Sequence, residues 1–200
     1  PFFSRRIGVA KDTEGNTIQN RIIAGARLSG KVNKNLRLGF LNMITDSDPQ
    51  NKISSNNNTV FALQQKMFSR SFLGLLFINR EKLEEDKIEN DQADFNRVLG
   101  IDYNLQSKDS KWVGKIWYHK SYESKNDKNN FSNGIWLNYN SRKNNLFISS
   151  RQMSDEFSSD LGFIRRTGIK SHFIKYGHRF WIDSKKIRSI ELSQQLYFVD

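Results

Sequence analysis

The chain has 200 residues, 32 Lys and Arg against 21 Asp and Glu for a formal net charge of +11, and no Cys. Lack of Cys excludes a disulfide scaffold and a thiolate-ligated zinc site, while 36% hydrophobic and 12% aromatic content exceeds what disordered chains carry. No apolar run approaches the roughly 18 to 20 residues of a membrane helix, which excludes helical membrane proteins but not transmembrane β-barrels, whose strands are weakly hydropathic.

Residues 1–20 read as a lead-in segment. The chain starts at Pro1 without an export signal and ends in Leu196-Tyr197-Phe198-Val199-Asp200 like a strand cut short, so we expect a fragment of a longer protein. From Arg21 onward period-two alternation dominates and helical spacing is almost absent. Between Arg21 and Val32, the small or apolar Ala24, Ala26, Leu28 and Gly30 alternate with Gly25, Arg27, Ser29 and Lys31. Asn33-Lys34-Asn35 makes a tight turn, because Asn tolerates the left-handed region, and the pattern resumes over 36–45.

Further strands are expected near 59–68, 72–80, 96–105, 111–122, 131–140, 145–153, 171–182 and 187–198, which makes about ten on antiparallel spacing. Leu99, Ile101, Tyr103 and Leu105 alternating with Gly100, Asp102 and Asn104 give the most clearly two-faced of them. Short turns alternate strictly with long loops at 46–58, 81–95, 123–130 and 154–170. This is the arrangement of outer-membrane barrels, with short turns at one end and long loops at the other. The long loops collect acids, among them Asp46, Asp48, Glu81, Glu84, Glu85, Asp155, Glu156 and Asp160, whereas the short turns are basic through Lys34, Arg70, Lys108, Arg142, Lys143, Lys185 and Lys186.

Four stretches carry a resemblance: Pro1-Phe2-Phe3-Ser4-Arg5-Arg6-Ile7-Gly8; Ile23 to Val32 followed by Leu38-Gly39-Phe40-Leu41-Asn42; Asn96 to Tyr103; and Asp160-Leu161-Gly162-Phe163-Ile164-Arg165-Arg166-Thr167. Together with Arg70 to Gly74 and Asn79-Arg80-Glu81, these span roughly residues 1 to 170 in order. They are similar to the C-terminal region of a Gram-negative envelope protein family of unassigned function, whose members carry an N-terminal carbohydrate-binding-like domain absent here. The resemblance implies an outer-membrane barrel, an envelope location and glycan association through that missing domain. It carries no catalytic residue.

Other constellations are weak. His172 and His178 share parity on one strand, but six residues at about 3.3 Å each set them about 20 Å apart, too far for one ion. The acid pairs Asp155 with Glu156 and Asp46 with Asp48 suggest glycoside hydrolysis but lie in polar loops where acids are expected. No nucleophile elbow, phosphate-cradling Gly loop or HExxH helix occurs. Dispersed cations without one basic stripe argue against nucleic acid. Tyr103, Trp112, Tyr118, Tyr122, Trp136, Tyr139, Trp181 and Tyr197 sit near strand ends, as an interfacial girdle requires.

The fold expectation is therefore all-β, an antiparallel up-and-down meander of about ten strands that forms part of an outer-membrane-type β-barrel in one segment spanning residues 1–200. Ala24, Ala26, Leu28, Leu38, Phe40, Leu99, Ile101, Tyr103, Ile135, Leu137 and Tyr139 are expected to face lipid. Arg27, Lys31, Arg37, Asp102 and Asn104 are expected to face the lumen. The expected role is structural or transport-like in the outer membrane, with lipid as partner and with no cofactor, metal or catalytic residue implied. The competing expectation is a soluble β-sandwich module of a secreted carbohydrate-binding or glycan-degrading protein.

Overall fold

The computed structural model describes residues 2–83, 93–124, 130–184 and 186–200. The acidic stretch from Glu84 to Asp91, Asp127 and the turn cation Lys185 lie outside those residues. The lead-in segment is structured, with a 3₁₀ turn at Ser4–Arg6 followed by a hairpin of β1 (Val9–Lys11) and β2 (Thr17–Gln19). Asp12 closes the hairpin by accepting from the backbone N–H of Glu14 and Asn16, and Gly15 takes the left-handed φ of +86° that the turn needs.

Ten long strands follow: β3 (Ile22–Lys31), β4 (Leu36–Thr45), β5 (Asn56–Met67), β6 (Ser71–Lys82), β7 (Phe95–Gln106), β8 (Trp112–Glu123), β9 (Phe131–Asn140), β10 (Asn144–Met153), β11 (Ile169–Trp181) and β12 (Ser189–Val199). They form one sheet in which every strand pairs antiparallel with its neighbours in sequence. This is the expected meander, with each expected strand displaced by at most a few residues. The sheet is not closed into a barrel. β3 and β12 are its two edges, because ladder hydrogen bonds link each of them to one neighbour only.

Register assigns every side chain to a face, since opposed residues share one and successive residues alternate. One face is apolar. Its row Leu38, Leu63, Leu75, Ile101, Tyr118 crosses five strands, and the row Leu105, Gly114, Leu137, Ile148, Ile174, Leu196 crosses six. Nothing among the described residues packs over this face: Leu99 is 50% exposed and Ile116 52%. A sandwich would require a second sheet there, and all ten long strands belong to one sheet. The other face mixes polar and aromatic residues with an aliphatic row, Leu41, Val60, Ile78 and Val98.

The core lies on that polar face, near the long-loop end. Val60, Ile78 and Val98 stand directly opposite one another on β5, β6 and β7, and Ile7, Phe157 and Leu161 cover them. The segment 154–168, expected as a solvated loop, folds back onto the sheet instead, because Phe157 and Leu161 gain burial there. Phe3 N–H donates to Leu161 O at 2.7 Å, tying the N-terminal segment to the same plug.

Candidate functional site

The strand ends under the plug carry buried polar groups, and each meets a partner. Arg80 is 3% exposed. Its Nε donates to Asp160 Oδ2 at 2.8 Å and its Nη1 to Asn56 Oδ1 at 3.3 Å. Arg80 Nη2 lies 2.6 Å from the same Asp160 oxygen, close enough for an ion pair but not aligned for another hydrogen bond. Asn96 is fully buried; its Nδ2 donates to Glu123 Oε1 at 2.9 Å and Ser158 Oγ at 2.8 Å, and its Oδ1 accepts from Asp160 N–H at 3.1 Å. Ser158 donates its hydroxyl proton to Glu123, and its N–H meets Ser121 Oγ at 3.2 Å. A charged pair and an amide thus hold the inturned loop where an unpaired polar group would be costly.

Beside the plug opens a chamber of about 1100 Å³ between the β1–β2 hairpin and the ends of β4, β5 and β6, lined by Arg6, Lys11, Asn20, Thr45, Asn58 and Arg80 among others. Asn51 on its lining is fixed locally, donating from its side chain and backbone to Asp48, which holds the Asp48 carboxyl below the usual carboxylate range.

Register places Arg27, Lys31, Arg37, Asp102 and Asn104 together on the polar face, and the eleven residues expected to face lipid on the apolar one. Within the polar face the five divide into two groups. Asp102 accepts from Asn104 Nδ2 at 2.6 Å and pairs with Lys115 at 3.4 Å. Lys31 and Arg37 stand opposite each other, and they and Arg27 have no side-chain hydrogen bond or ion pair among the described residues. Arg80, Asn96, Glu123 and Asp160 escape sequence reasoning, since Arg80 and Asp160 are 80 positions apart and no local pattern links them.

The aromatic girdle divides as well. Tyr103, Trp112, Tyr118, Tyr122 and Tyr139 stand on the apolar face, whereas Trp136, Trp181 and Tyr197 stand on the polar one. Trp136 belongs to a line that sequence position alone does not show: Trp136 to Phe147 at 6.3 Å between ring centroids, Phe147 to Phe173 at 5.8 Å, and Phe173 to Tyr197 at 6.1 Å, across β9 to β12. Trp117 occupies the space over its opposed residue Gly134, where an added Cβ would collide with the indole. His172 and His178 fall on the apolar face, and His178 Nδ1 lies 2.7 Å from Asn144 Oδ1.

Comparison with protein-family models, curated proteins and solved structures finds no match to this chain.

Proposed function

We propose that this chain forms the wall of an outer-membrane β-barrel, with the apolar face toward lipid and the polar face toward a plugged lumen. The observation that carries this reading is the division of charge between faces. Among the described strand residues, charges on the apolar face are confined to Glu81, Arg97, Lys120 and Lys170, all near the long-loop end. Below them runs a band of exposed Leu, Ile and Phe that would be a solubility liability in water and is the required surface in lipid.

Two further features support the reading. Each of the ten strands has 10 to 13 residues, against about 5 to 6 in ordinary globular sheets and about 9 to 11 for a tilted membrane crossing. Trp112 and Tyr139, with ring centroids 4.6 Å apart, sit on the apolar face beside the short turns, where an interfacial belt belongs. In this proposal the edges of β3 and β12 are satisfied by closure, with each other or with further strands, because hydrocarbon cannot hydrogen-bond an open edge. The resemblance to envelope proteins agrees with that location, and the role is that of a structural or solute-passing barrel.

Envelope fractionation of the native cell tests the proposal. The protein should be recovered in the outer membrane, require detergent for extraction and migrate faster on gels unheated than boiled. Recovery in a soluble fraction without detergent would overturn it.

A further inference from the structure

We infer that the short-turn end of the sheet is a docking surface for the anionic headgroups of a phospholipid leaflet. The inference rests on the membrane reading above. Each of the five short turns carries an exposed cation, in chain order Lys34, Arg70, Lys108, Lys143 and Lys186. Arg142 and Arg188 reinforce the last two turns. Among the described residues the only acids in these turns are Asp109, which pairs with Lys111 at 3.0 Å, and Asp183. Lys34, Lys108, Lys143, Lys186 and Arg188 have no side-chain hydrogen bond or ion pair among the described residues, so their charge is not consumed within the protein.

The layout selects a leaflet over a soluble anion. Successive short turns are two strands apart, about 10 Å, which spreads the cations along a rim instead of gathering them in the pocket that a small ligand needs. Apolar side chains stand exposed among them: Val32, Phe68 and Ile187, of which Phe68 at its turn tip is 84% exposed. Phe68 also holds a left-handed φ of +53°, so a bulky ring is presented where Gly would relax the backbone. In water such groups are a liability; at a bilayer surface they enter the acyl boundary while the neighbouring cations meet phosphate. The rim is continuous with the apolar face, because Trp112 and Tyr139 stand on that face beside these turns. Anionic lipid attracts each Lys or Arg near its surface, so cations spread along the rim act together. A nucleic acid would use the cations but gain nothing from the aliphatic Val32 and Ile187 among them.

The intact protein in mixed micelles with equal parts of phosphatidylglycerol and phosphatidylcholine tests the inference. Native mass spectrometry counts the lipids retained, and the heat-dependent gel shift reports the fold. Phosphatidylglycerol should be retained severalfold over phosphatidylcholine, with the preference falling as salt is added. The triple variant Lys34→Gln, Lys108→Gln, Lys143→Gln should keep the gel shift and lose most of that preference; Lys34→Gln alone, a milder change at an exposed turn, should lower it in part. The triple variant Arg5→Gln, Arg165→Gln, Arg166→Gln removes the same charge from the N-terminal segment and the plug, and should leave the preference intact. Equal retention of both lipids by a protein with the gel shift, equal loss in the two triple variants, or displacement of the lipid by free glycerol phosphate would overturn the docking surface while leaving the barrel reading in place. Phosphatidylglycerol preference in a protein without the shift would support the basic rim as a lipid contact and overturn the barrel reading. Absence of both would overturn both.

Discussion

Within β7, Leu99, Ile101 and Tyr103 occupy one face and Gly100, Asp102 and Asn104 the other, and the two sets meet different surroundings. The apolar face is continuous and bare, stabilised in this account by lipid. The polar face builds its order from within, through a small core at Val60, Ile78 and Val98 and a buried ion pair that clamps a loop over it. On the proposed membrane reading one sheet draws on two sources of stability, and each is open to separate disruption.

The largest effect is expected on the polar face. Phe157→Ala removes a ring that is 3% exposed and should destabilise the plug by about 3 to 5 kcal/mol, read as rapid proteolysis within 154–168. If the cleavage rate is unchanged, the plug is not held by its apolar anchors. On the apolar face, Ile101→Arg should cost about 2 to 4 kcal/mol and block membrane assembly, whereas the adjacent Asp102→Asn should assemble normally. Equal assembly of the two variants would break the comparison between faces.

Asp160→Ala ranks next. It strands the buried Arg80 guanidinium, and because Asp160 is itself about one-third exposed we expect roughly 2 kcal/mol, less than for a fully buried pair, visible as faster amide exchange in the plug. The smallest effect belongs to the turn joining β7 and β8. Hydrogen bonds from Ser107 and Lys111 hold the Asp109 carboxyl down to about 2. A depressed carboxylate adds stability above its unfolded value of 3.8 that is lost as pH falls through about 2. The melting difference between the protein and Asp109→Asn should therefore be largest above pH 4 and shrink steadily as pH falls toward about 2. A difference that is undiminished at pH 2 would remove the carboxylate as its cause.

The ten strands were legible because alternation and Asn-rich or basic turns are local signals, and parity alone placed Arg27, Lys31, Arg37, Asp102 and Asn104 on one face. Parity also held information that position near a strand end did not: Trp136 alternates with Ile135 and Leu137, so it could not share their face. The plug was not legible. Phe157, Leu161 and Ile164 even fall at the helical spacing i, i+4, i+7, yet the segment forms no helix, and the groups that hold it are distant in sequence: Asp160 bonds Arg80, 80 positions away, and Ser158 bonds Asn96, 62 away. The β1–β2 hairpin is built from three-residue strands, too short for alternation to register. Closure is an edge property, and nothing in the sequence of β3 or β12 names its partner.

Because the sequence holds no Cys, the surroundings of each face can be measured with single introduced thiols. Single variants Leu99→Cys, Ile101→Cys, Gly100→Cys and Asp102→Cys would be labelled with a fluorophore in reconstituted membranes and exposed to lipid-borne and aqueous quenchers. Lipid quenching is expected at 99 and 101 and aqueous quenching at 100 and 102. The same quencher acting at all four positions would contradict a sheet with one face in lipid and one in a lumen.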